Sequence, residues 1–170
     1  VVTRLLVQYA STSQEPNTEA EAALRATLNG INAMCPLASE MRDMNSGSAA
    51  GLRLGDVCAV TMPTLADVLR CAPHHNHTNA AIAALLCKLS WHEDNKIVLY
   101  RTADAIVPHK LLCWLCDDNI ISRAKEEKYL ATLRVECATC LWNLSKKREN
   151  SRIMSRGEHF EKLCDRLRNN

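Results

Sequence analysis

The sequence predicts an all-α protein built from recurring helical units, and three observations carry that expectation. The stretch Ala81-Ile82-Ala83-Ala84-Leu85-Leu86-Cys87-Lys88-Leu89-Ser90 returns downstream as Cys137-Ala138-Thr139-Cys140-Leu141-Trp142-Asn143-Leu144-Ser145, both times with the apolar spacing of one helix face. No segment alternates apolar and polar residues as a half-buried strand does. Only five glycines and five prolines interrupt 170 residues, while 47% apolar and 24% charged residues describe a globular chain rather than a disordered one.

The elements follow in order. Thr18 with Glu21 three residues on forms a capping-box signature, and Ala22, Ala23, Leu24, Ala26, Leu28 and Ile31 carry a helix to about Met34. Residues 36–44 suit a short helix, and 45–55, rich in Gly, Ser and Ala, read as a loop. Asp56 then caps a helix to about Cys71 with a break or kink at Pro63. A helix starts at Thr78 or Asn79 and ends near Trp91; a short one covers Asn95 to Arg101, and Asp104 caps another to about Cys116. Residues 117–128 form a polar loop that grades into a long helix ending at Ser145. Two short helices, 149–156 and 158–168, follow, separated by Gly157 as a helix stop.

The long helices end at Ile31, Leu89 and Leu144, which gives spacings of 58 and 55 residues. Three-helix repeat units run to roughly 40–47 residues, and insertions at 45–55 and 117–126 account for the excess at little entropic cost. Length and core potential fit a single domain over 1–170. The chain opens at Val1 rather than Met and starts and stops partway through a unit, so it reads as part of a longer stack.

The stretch Met62-Pro63-Thr64-Leu65-Ala66-Asp67-Val68-Leu69 before the Ala81–Ser90 helix resembles an armadillo repeat. Leu141-Trp142-Asn143-Leu144-Ser145, with Asn150 and Ile153 after it, is similar to repeats of the β-catenin and adenomatous-polyposis-coli type. Asn95, Lys96 and Val98 stand in corresponding places one unit earlier. The resemblance extends from about 56 to 164. It implies a right-handed α-solenoid of about three armadillo-like three-helix repeats, with third helices lining a groove that binds a protein or extended peptide. On that register Lys88, His92, Thr139, Asn143 and Lys146 line the groove. The import-receptor subfamily pairs a Trp and an Asn four residues apart on each third helix. Here the residue four before Asn143 is Thr139, and the earlier pairs are Ala84 with Lys88 and Ala26 with Gly30. That ladder is absent, so classical import-signal recognition is not expected; Trp142, one residue before Asn143, is read as a packing residue.

Other constellations point to chemistry less well. Cys113, Cys116, Cys137 and Cys140 have nearly the spacing of a four-cysteine zinc site. Cys137 and Cys140, however, occupy the core positions held by Ile82 and Leu85 one unit earlier, so packed thiols are the preferred reading. His74, His75 and His77 before a helix start suit a solvated turn. No phosphate-binding loop, Gly-x-Ser-x-Gly or His-Glu-x-x-His motif is present; neither enzymatic activity nor a cofactor is expected.

Lys146, Lys147, Arg148 and Arg152, with Arg156, Arg166 and Arg168 beyond, fit a helix C-terminus matched to its dipole. They also suggest the alternative of a helical-repeat adaptor for nucleic acid, against which stands a net charge of only +2. A zinc-stabilised regulatory module is the third reading. Nine cysteines, an odd number set in apolar helical text, suit free thiols in a reducing compartment. The expectation is therefore a cytoplasmic scaffold within a larger assembly, compatible with cytoskeletal association and without membrane insertion.

Overall fold

A computed structural model describes residues 18–35, 48–70, 76–102, 104–116 and 127–156, together with Glu161 and Asp165. Among the described residues there is helix and no strand: α1 (Thr18–Met34), α2 (Ala49–Arg70), α3 (Asn76–Leu89), α4 (Asn95–Arg101), α5 (Ile106–Cys116), α6 (Glu127–Ser145) and α7 (Arg148–Met154). The expected helix 36–44, the loop 117–126 and Gly157 lie outside the described residues. So does most of 158–168, where only Glu161 and Asp165 are described, both helical.

Each helix forms because its apolar residues recur on one face. In α1 that face is Leu24, Leu28 and Ile31, all buried. The same interval recurs in α3 as Ile82, Leu86 and Leu89, and in α6 as Cys137, Leu141 and Leu144. These faces join Leu54, Cys58, Met62, Leu65 and Leu69 of α2, Leu99 of α4 and Leu111 of α5 in one continuous core. α3 packs against both α1 and α6, while α5 lies against α6, α2 and α4. Burying each such leucine contributes on the order of 2 kcal/mol.

Several local expectations are corrected. Residues 49–55, read as part of an inserted loop, are the first turns of α2, and Asp56 lies inside that helix rather than capping it. Ser48 supplies the cap instead: its Oγ accepts from the Gly51 N–H at 3.0 Å. Gly51 and Leu54 are buried, so packing overrides the poor helix propensity of the glycines. Pro63 sits on the exposed side of a helix that continues past it to Arg70. At the start of α5, Asp104 and Ala105 form a left-handed turn with φ of 57° and 62°, and the helix begins at Ile106. Aspartate tolerates that conformation better than alanine does.

Candidate interaction surface

The ends of α3 and α6 are built alike. Asn95 is buried at the start of α4, and its side-chain amide donates to the carbonyls of Leu89 and Leu54, both at 3.1 Å. Asn150, in α7, is 55 residues later. Its amide donates to the carbonyl of Leu144 at 3.1 Å and that of Lys96 at 3.0 Å. Each asparagine thus ties a helix end to an earlier helix, adding a second donor to a carbonyl that otherwise accepts only a long backbone bond, from the His92 N–H to Leu89 at 3.4 Å and from the Lys147 N–H to Leu144 at 3.3 Å. Side-chain donors also join α3 to α1 and α6 to the end of α3. Lys88 Nζ reaches the Asn32 carbonyl at the end of α1 (3.1 Å), and Asn143 Nδ2 reaches Ser90 Oγ at the end of α3 (3.1 Å).

These contacts decide which register-derived groove residues face solvent. Lys88 and Thr139 are half-buried and Lys146 is exposed. His92 and Asn143 are corrected as surface positions, being only 6% and 2% exposed. Helical register locates a residue around its own axis but does not show how deeply a neighbouring helix seats. Asn143 is occupied internally: its amide donates to Ser90, and its Oδ1 accepts from Lys146 at 3.4 Å. His92 has no hydrogen-bond partner for either ring nitrogen among the described residues.

Trp142, expected to pack, is instead 65% exposed, with the Lys146 ammonium 5.5 Å from its ring centroid. The core positions beside it belong to Leu141 and Leu144, which leaves the indole on the far side of the helix. Val135, 64% exposed, lies seven residues before it on the same face. At the equivalent points of α4 and α7, Val98 and Ile153 are also exposed. The surface therefore carries apolar positions as well as the polar ones named from register.

Charge gathers at the α3–α4 turn. Glu93 pairs with Lys96 and with Lys147 at 2.9 Å, and these two hydrogen-bonded cations hold its carboxyl below the usual range. Lys147 is shifted upward by the same bond to Glu93. Arg101 pairs with Glu149 at 3.2 Å. Part of the basic run is thereby neutralised, while Arg148, Arg152 and Arg156 remain exposed.

The cysteines divide by position. Cys137 and Cys140 are buried in the core face of α6, Cys113 is exposed with its Sγ 3.9 Å from His109 Nδ1, and Cys116 is half-buried. Burial raises the Cys140 thiol to about 12 and the Cys137 thiol further still. Among the described residues, no three His, Cys, Asp or Glu side chains gather as a metal site. His77 packs edge-on against Tyr129 at 5.8 Å, joining the starts of α3 and α6; His74 and His75 lie outside the described residues.

No described helix is long and apolar enough to cross a membrane. Comparison of the chain with protein-family models, curated proteins and solved structures finds no match.

Proposed function

We propose that the chain is a non-enzymatic interaction module: a short armadillo-like solenoid whose helices α1, α3 and α6 present a surface to another protein, bound as an extended segment. The observation that carries this reading is a side-chain tie that recurs at a shift of 55 residues: Asn95 donates to the Leu89 carbonyl and Asn150 to the Leu144 carbonyl. Lys88 and Asn143, at the same shift, each reach back to the end of the preceding helix of the set, onto the Asn32 carbonyl and the Ser90 hydroxyl. Units tied to their neighbours in this way build extended surfaces. On that surface Lys88, Thr139 and Lys146 offer donors to a peptide backbone or acidic side chain, and the Trp142 ring offers a flat apolar contact beside Lys146.

The test is quantitative binding of a partner captured from cell extract, comparing the native chain with the double variant Thr139→Arg, Lys146→Glu. The expected result is an affinity loss of at least about tenfold, in the range of an interface hot spot, with an unchanged melting curve. Unchanged affinity would overturn the assignment. The exposed Arg148, Arg152 and Arg156 favour nucleic acid as the second reading. That reading requires affinity to fall steeply with added salt, as counterion release demands.

A further inference from the structure

Helix α5 carries two donor side chains on the side it turns away from the core. Val107, Leu111 and Trp114 are buried and seat one face of the helix. His109 and Cys113 lie on the opposite face, and both are exposed. Residues four apart stand one above the other on a helix, close enough for their side chains to meet. The His109 N–H donates to the Ala105 carbonyl at 3.2 Å, which fixes the residue in the first turn. From there the ring reaches its neighbour: Cys113 Sγ lies 3.9 Å from His109 Nδ1.

That separation is close to the bite of a metal chelate. Zinc holds a thiolate sulfur at about 2.3 Å and an imidazole nitrogen at about 2.0–2.1 Å, so a tetrahedral ion spans the two donors at about 3.6 Å. Small side-chain rotations supply the few tenths of an ångström that remain. One sulfur and one imidazole nitrogen select zinc over magnesium or calcium, which take oxygen ligands. The four-cysteine set read from the sequence does not assemble. Cys137 and Cys140 are buried in the core face of α6, where desolvation holds both thiols in their neutral form. The α5 pair replaces those two sulfurs with one exposed imidazole.

We propose that His109 and Cys113 bind one zinc ion as an open, two-donor site. The sulfur binds as thiolate, its proton passing to solvent, and Nδ1 binds through the lone pair of the neutral ring. Both donors are exposed, so the two remaining tetrahedral positions open to solvent. The ion is therefore exchangeable and takes water, or a donor from outside the helix, in those positions. No three-residue metal cluster gathers among the described residues, and a chelate of this kind requires only two side chains. The site stands apart from the surface of Lys88, Thr139 and Lys146, and its occupancy does not depend on that surface being used.

The probe is zinc chloride, titrated into the full chain at neutral pH with a thiol-free reductant. Calorimetry follows binding, and mass spectrometry follows the rate at which iodoacetamide labels Cys113. Saturable binding is expected, together with labelling of Cys113 slowed at least about tenfold, because a metal-bound thiolate is a poor nucleophile toward the label. His109→Ala should remove that protection and weaken binding at least about tenfold, since a direct ligand is worth no less than an outer-shell partner. Cys113→Ser should remove the same binding event. Both positions are exposed, so neither variant should disturb the fold, and circular dichroism melts verify this. Magnesium chloride at the same concentration should produce neither effect. Absence of saturable binding overturns the proposal. So does zinc binding that leaves Cys113 labelling unchanged, which would place the ion elsewhere, for example at Cys71 with His74 and His75. Protection of Cys113 that persists in His109→Ala would also overturn it, by showing that the imidazole is not a ligand.

Discussion

Replacing Asn95 with alanine removes one amide that serves two carbonyls, Leu89 at the end of α3 and Leu54 within α2. The residue is 4% exposed, so water does not replace those bonds readily. Two hydrogen bonds at about 1 kcal/mol each give a loss of about 2 kcal/mol, since the Leu89 carbonyl keeps the His92 N–H at 3.4 Å and Leu54 lies inside α2. For a chain of this size that lowers the melting temperature by about 4–8 °C. The direct assay is urea denaturation followed by far-ultraviolet circular dichroism, with the slope checked for constancy. Asn95→Asp should be worse than alanine at pH 7, because a carboxylate would face two carbonyl oxygens with no proton to donate. A loss below about 0.5 kcal/mol, the range of ordinary surface substitutions, would refute the reasoning. Equal losses for Asp and Ala would refute the donor role.

Gly55→Ala should stabilise by about 0.5–1 kcal/mol, because Gly55 lies inside α2 and an added Cβ meets nothing within 4 Å; chemical denaturation checks the sign. Glu93 titrates below its ordinary value of 4.5 in the fold, so its ion pairs stabilise above that value and are lost as pH falls through the depressed one. Glu93→Gln should therefore lose about 1 kcal/mol at neutral pH, a figure kept small because Glu93 is half exposed. The variant should also show a shallower stability loss between pH 5 and pH 3 than the native chain. In timed alkylation read by mass spectrometry, Cys113 should react first among the described cysteines. Cys58 and Cys140, whose thiols burial lifts to about 12, should stay unmodified until the chain unfolds.

Much of the helical order is legible in the sequence because it rests on apolar spacing. Leu24, Leu28 and Ile31, and again Ile82, Leu86 and Leu89, could pack on one face only as helices. Cys137 and Cys140 read as core residues for the same reason, by comparison with Ile82 and Leu85 one unit earlier. The start of α2 was hidden because Gly51 and Gly55 look like loop formers. Their cost of about 1 kcal/mol each is outweighed by the Ser48 cap and by burial of Leu54 and Cys58. Side-chain accessibility was less legible. Asn143 and His92 occupy groove positions by register, yet neighbouring helices cover them, and the bond from Asn143 to Ser90 joins residues 53 apart. The exposed stripe of α6 did leave a signal in the spacing of Ala131, Val135, Ala138 and Trp142. A helix apolar on two faces reads as wholly buried until the structure shows which face is covered.

The most direct measurement of the central claim is affinity capture of the chain from cell extract, with lysine crosslinking mapped by mass spectrometry. The account expects a protein partner whose crosslinks concentrate at Lys88 and Lys146, the two lysines placed along the long-helix surface. Recovery of nucleic acid, or crosslinks confined to Lys162 and the C-terminal residues, would contradict it and move the binding surface away from these helices.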